Sequence, residues 1–336
     1  MKRWGWIAGW VLLLALRAGP LPAWEPSDLV LVMGAPGAPE YEQDFMRQTE
    51  RWIAVAEAGS HRCVRIGGDA ESEPADHERL RQALASVPPA GATPLWLVLI
   101  GHGTFDGKDA RFNLRGPDLT PAELAEWLEP FQRPVIVINT ASASAPFLPP
   151  LAGPGRVIVT ATRSGFEQNA TRFGRFLAEA WLADVSDLDR DGQVSLLEAC
   201  VMAWRGAAEF YESEGRLMTE HALLEDNGDG LGTALDWFRG VRAIKEPREG
   251  SVADGFRAHQ FVLVPSAAER GLSAEARARR DALERSIEAL RQRKTSLAEE
   301  EYYAELERLL LDMARTLVTP DTAASESGGG KDDVAP

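Results

Sequence analysis

His102 sits between Gly101 and Gly103, directly after the apolar run Leu95–Ile100. Ser142 follows a second apolar run, residues 135–138, through Asn139, Thr140 and Ala141. An imidazole and a hydroxyl at two strand tips are what nucleophilic hydrolysis needs, the first as base and the second as nucleophile. A different chemistry is written further on, in the unbroken stretch from Asp187 to Glu198. Its residue types fit a twelve-residue calcium loop of the EF-hand kind at every diagnostic place. Asp187, Asp189 and Asp191 would offer side-chain oxygens, Gln193 its backbone carbonyl, Ser195 a ligand directly or through water, and Glu198 two oxygens. Gly192 permits the sharp turn at the sixth place, and Val194 supplies the apolar eighth. Calcium is therefore the expected cofactor, and a loop lacking a full partner binds weakly enough to suit millimolar calcium outside a cell.

The elements that must position these residues read as an α/β unit. Continuous aliphatic runs suit strands buried on both faces, as in a parallel sheet with helices above and below. Between the two runs, Thr120 caps a helix that has Pro121 in its first turn and Glu123 closing a capping box. The resulting βαβ unit sends both polar tips to the carboxyl edge of the sheet, where ligands of open α/β sheets bind. Earlier in the chain, Asp28–Met33 reads as the first strand and residues 40–58 as a helix with Phe45, Trp52 and Ala56 on one face. Residues 63–66 form a second strand, and residues 76–87 a second helix with Leu80 and Leu84 four apart. A further strand starts at Arg156, and residues 260–265 read as the last one, at an edge because Pro265 cannot donate to a ladder. This alternation predicts a doubly wound, mostly parallel sheet with flanking helices.

The order strand-Gly101-His102-Gly103, strand-Thr140-Ala141-Ser142-Ala143-Ser144, then a third strand from Arg156 to Gly165, resembles the legumain branch of the caspase-like cysteine peptidases. In that family the catalytic histidine lies in a His-Gly pair after one core strand, and the nucleophilic cysteine follows an Ala after the next. His102 matches the histidine, and Ser142 stands where the cysteine belongs. The likeness spans residues 28–185 and implies a caspase-like fold. A cysteine works in such a site because part of it is already thiolate at neutral pH. A serine needs a base in contact and an orienting third group. In a loose dyad the exchange of sulfur for oxygen costs several factors of ten, each about 1.4 kcal/mol of barrier. Asp106 and Asp109, on a Gly-rich loop after His102, are the candidates for that third group. Glu40 to Asp44 lacks the basic residue expected of an asparagine pocket, so that specificity is not carried over. The leading expectation is a catalytically inactive peptidase homologue that binds calcium and a peptide or protein. An active endopeptidase or acyl hydrolase using Ser142 and His102 is the second, and a purely structural calcium module the third.

The 336 residues carry a net charge of −15, which makes nucleic acid and anionic lipid poor partners. Residues 1–23 have Lys2 and Arg3, an apolar stretch over 4–16, and a small-residue cut site at Ala23, the layout of a secretory signal. That stretch is short of the roughly 20 residues a spanning helix needs. Export to a periplasmic or extracellular compartment follows, with an uncleaved membrane tether as the alternative. The expected domains are a signal over 1–23, the α/β unit over 24–185, the calcium loop with helices and a final strand over 186–265, a helical hairpin over 266–318, and a disordered tail over 319–336. The hairpin either packs back or self-associates, and Ser296 with Glu299 would form a capping box within it. Cys63 and Cys200 either pair or stay as two free thiols. A second acidic turn begins at Glu225, with Asn227, Asp229 and Gly230 in register and Asp236 at the twelfth place, preceded by a solvated His221.

Overall fold

The computed structural model describes residues 24–69, 73–245 and 252–317. The expected signal and the expected tail lie outside them. The chain divides between Glu269 and Arg270 into two compact units, a larger one over Glu25–Glu269 and a smaller one that also takes in Trp24.

The larger unit is built on a seven-stranded sheet. Its parallel core is β1 (Asp28–Met33), β2 (Arg62–Ile66), β3 (Leu95–Ile100), β6 (Val135–Asn139) and β7 (Arg156–Thr160), and the antiparallel pair β8 (Leu223–Glu225) and β9 (Thr233–Ala234) extends it in the order β2-β1-β3-β6-β7-β8-β9. Every residue of β1 and β3 is buried. Alternate side chains supply two cores, because successive residues of a strand point to opposite faces. Leu29, Leu31, Trp96 and Val98 pack with Trp52 of α1 (Pro39–Gly59), with Leu177 of α5 (Phe173–Ala180) and with Leu197 of α6 (Leu196–Ser213). Val30, Val32, Leu97 and Leu99 pack with Leu80 of α2 (Asp76–Ser86), Leu124 of α3 (Pro121–Leu128) and Leu148 of the short α4 (Leu148–Leu151). The doubly wound reading therefore holds, and so does the Thr120–Glu123 capping box that starts α3. Among the described residues, no helix is long and apolar enough to cross a membrane.

One expectation is corrected in this unit. Residues 260–265 are not a strand of the sheet: they follow the short α7 (Phe256–Gln260) and make one isolated bridge, Val262 opposite Ser195. The place beside β7 is already filled by β8, and the apolar side chains of this segment join the core on the Trp52 face of the sheet instead, where Phe261 meets Trp96 edge-on at 6.4 Å. A hairpin that short runs cannot announce, β4 (Gly103–Phe105) with β5 (Ala110–Phe112), leaves the tip of β3, and β10 (Phe238–Arg239) pairs with β11 (Arg242–Ala243) elsewhere. Cys63 is exposed and Cys200 fully buried, and both are free thiols.

The helix α8 (Ala267–Gly271) spans the boundary in sequence. The smaller unit is the expected hairpin of α9 (Ala274–Gln292) and α10 (Glu299–Leu317), closed by Ile287 and Leu290 against Tyr302 and Leu309. Ser273 caps α9. The expected capping box at Ser296 does not form, because that hydroxyl donates backwards to the Arg293 carbonyl.

Candidate functional site

The parallel core sends the exits of β1, β3, β6 and β7 to one edge, and His102 and Ser142 both lie there. Thr140 anchors the β6 tip to its neighbour by donating from both its backbone N–H and its hydroxyl to the Leu99 carbonyl. Gly103 has to be glycine at this crossing: a Cβ there would fall 2.2 Å from the Ser142 carbonyl oxygen. After Ser142 the chain turns through Ala143 at φ 52°, a left-handed conformation that non-glycine residues rarely adopt. The turn is held by the Ala143 N–H on the Glu167 carbonyl and by the Ser144 hydroxyl, which accepts from Ala161 and Thr162.

The two candidate catalytic residues share this edge without a hydrogen bond between them. Ser142 is 2% exposed, and its hydroxyl is engaged twice by Gly103, donating to the carbonyl at 3.1 Å and accepting from the N–H at 3.2 Å. The His102 ring meets Tyr41 and Phe45 edge-on, at 4.5 and 5.0 Å between centroids. Burial holds the imidazole below its ordinary pKa, and the nearby Pro36 backbone partly offsets this. Asp106 is not an orienter of His102. Its carboxylate accepts from the N–H groups of Lys108 and Asp109 and closes the β4–β5 turn.

His102 lines a cleft together with Tyr41, Asp44 and Gln48 of α1, Thr140 of the β6 tip, and Thr171 and Arg172 just before α5; Ser142 is not among its lining residues. Arg172 brings a basic residue to this lining from a distant segment, whose Arg172 and Phe173 N–H groups are fixed by the buried Glu220 carboxylate. His221 beside it is no free loop residue, since its ring contacts Glu167 at 2.6 Å.

The loop from Asp187 to Glu198 has the local geometry its residue types imply. One oxygen from each of Asp187, Asp189 and Asp191 lies within 4.8 Å of the others. The chain wraps round these oxygens: Gly192 donates to Asp187 at 3.0 Å, Asp191 to Asp189 at 3.2 Å, and Gln193 to Asp191 at 3.0 Å. Glu198, 1% exposed, closes the loop from the first turn of α6. One of its oxygens accepts from Leu188 and Asp189, and the other from the N–H and hydroxyl of Ser195. Burial raises the pKa values of Asp189 and Asp191, and facing carboxylates add to it. His259 of α7 reaches in from outside, 3.3 Å from the Asp189 carboxylate and 3.3 Å from the Ser195 hydroxyl. An all-oxygen donor set of this kind could hold a hard cation such as calcium.

The second acidic turn is the loop of the β8–β9 hairpin rather than a loop between helices. Asp236 does not serve as its twelfth ligand, because it is exposed and paired with Lys245 at 2.8 Å.

No family model matches the chain, and no curated protein matches it. Solved structures do. The initiator caspase Dronc of Drosophila is similar with a TM-score of 0.41 and 11% identity, over 62% of this chain and 81% of that one. Caspase-1 of Spodoptera frugiperda gives 0.42 and 9%, over 61% and 90%. A protein from Geobacter sulfurreducens gives 0.37 and 13%, over 53% and 88%.

Proposed function

We propose that this is an exported calcium-binding protein whose α/β unit has the layout of a caspase-like peptidase without its cleavage chemistry, and whose strand-tip cleft receives a peptide or protein. The observation that carries the loss of cleavage is the engagement of the Ser142 hydroxyl by the Gly103 backbone, away from the His102 ring and off the cleft. A serine nucleophile needs a base in contact with it, and here the imidazole packs against Tyr41 and Phe45 instead. The peptidase layout is supported by the two tips, Gly-His-Gly and Ala-Ser-Ala-Ser, on adjacent parallel strands. Support for a peptide ligand comes from the cleft itself, which offers an acid at Asp44, a base at Arg172 and an aromatic wall at Tyr41. Calcium at Asp187, Asp189, Asp191, Gln193 and Glu198 is supported by the wrapped loop, and export by the leader-like first residues. Exposed Tyr303, Leu310 and Leu311 on α10 support self-association through the hairpin.

A fluorophosphonate probe tests the reading, applied with calcium and with chelator. The wild-type protein is expected to stay unlabelled in both. Labelling that vanishes in Ser142→Ala and in His102→Gln would replace this function with that of a serine hydrolase. Peptide-array binding weakened by Asp44→Ala and by Arg172→Gln locates the ligand in the cleft.

A further inference from the structure

The hairpin loop after β8 repeats the hydrogen bonding of the Asp187 loop place by place. Glu225, Asn227 and Asp229 fall on Asp187, Asp189 and Asp191. The third-place oxygen accepts from the fifth N–H in both, Asn227 from Asp229 at 2.9 Å and Asp189 from Asp191 at 3.2 Å. The fifth-place oxygen accepts from the seventh N–H, Asp229 from Leu231 at 2.7 Å and Asp191 from Gln193 at 3.0 Å. The first-place carboxylate turns back into its own loop in both, Glu225 accepting from the fourth-place Gly228 N–H and Asp187 from the sixth-place Gly192 N–H. The fourth and sixth places have positive φ in both, at 88° and 75° for Gly228 and Gly230 and at 63° and 92° for Arg190 and Gly192.

The twelfth place is missing by sequence count, and the fold fills it from elsewhere. Asp254, 3% exposed, does here what Glu198 does in the first loop. One Asp254 oxygen accepts from the second- and third-place N–H groups, Asp226 at 2.8 Å and Asn227 at 3.2 Å. The other accepts from the ninth place, the Thr233 N–H at 3.0 Å and its hydroxyl at 2.7 Å. Glu198 contacts the same three places of its own loop, Leu188, Asp189 and Ser195. Asp226 holds the segment in position by accepting from the Ala258 N–H at 2.8 Å.

An independent observation asks for a ligand. Glu225 is 0% exposed, one of its oxygens is turned into the loop by the Gly228 N–H, and the other has no hydrogen-bond partner. A buried carboxylate oxygen left without a partner is costly, and a cation held by the same carboxylate removes that cost. We infer that the β8–β9 loop is a second calcium site, built from Glu225, Asn227 and Asp229, whose closing carboxylate is Asp254, supplied from a separate segment of the chain.

Equilibrium dialysis of the full chain against calcium up to several millimolar, the range of weak extracellular sites, tests this by counting ions. Two calcium ions per chain are expected for the wild type, one for Asp229→Ala, one for Asp187→Ala, and none for the double variant. Asp229 is exposed, so its replacement leaves the fold in place. Glu225→Gln and Asp254→Asn, checked for folding by melting, should each retain one ion. One ion in the wild type, lost in Asp187→Ala and kept in Asp229→Ala, would overturn the second site and leave the first intact. Two ions with Asp229→Ala and Glu225→Gln unchanged would place the second ion elsewhere and also overturn it. No uptake at all would remove both.

Discussion

The strand-tip edge and the Asp187–Glu198 loop are both crowded with polar side chains, yet they differ in what those side chains still lack. At the tips, Ser142 is satisfied by Gly103 and Ser144 by the exit of β7, while the His102 ring is packed against Tyr41 and Phe45. In the loop, three carboxylates face one another, with the His259 ring 3.3 Å from one of them. Reactive residue types at a strand edge therefore make a reactive site only if the protein's own backbone leaves them unengaged. Clustered carboxylates behave in the opposite way. Their mutual repulsion is relieved only by something that arrives.

The contrast breaks most visibly with calcium itself. At about a hundred times its dissociation constant the ion should add roughly 2.7 kcal/mol of stability by mass action, read as a rise in the denaturant midpoint over chelator, and Asp187→Ala should remove the rise. An unchanged midpoint in the wild type would make the loop as self-sufficient as the tips. Next in size, Glu198→Ala in chelator should cost about 2 kcal/mol, because it leaves the Leu188 and Ser195 N–H groups without their acceptor and removes the α6 cap. If Glu198 mattered only as a ligand, that loss would appear with calcium and not without it. Ser142→Ala should cost about 1 kcal/mol, one hydrogen-bonded hydroxyl, and leave calcium uptake unchanged. A larger effect on uptake would show that the two regions communicate.

The smallest effect concerns pH. Burial holds His102 below its ordinary value in the folded chain, so the unfolded chain takes up the proton first. Its contribution to stability is complete above about pH 6.5, the unperturbed value, and is lost as the pH falls from there through the folded value. The wild-type midpoint should therefore decline more steeply with acid than that of His102→Gln. Parallel profiles would mean that the ring is solvated, and so available to a substrate.

Much of the frame can be read locally. β1, β3 and β6 are continuous aliphatic runs, and α3 carries its capping box in adjacent residues. The Asp187 loop is legible for the same reason, since all twelve places lie in one stretch. Residues 260–265 looked as strand-like as any, but an apolar run says only that it will be buried, not against what. Arg172 in the cleft, His259 beside Asp189, and Asp254 in the second loop had no local signal, because each acts on groups far from it in the chain.

By itself the sequence determined the long buried strands of the parallel core, where the sheet's polar edge would fall, and that one twelve-residue stretch would gather its carboxylates in a loop, because these follow from periodicity, caps and spacing within a few residues. Only the tertiary structure decided that the Ser142 hydroxyl turns to Gly103 rather than to His102, and that Asp254 closes a loop begun at Glu225. Hydrogen bonds form between whichever groups the packing brings within about 3 Å of each other, and packing of segments remote in sequence is set by the whole core.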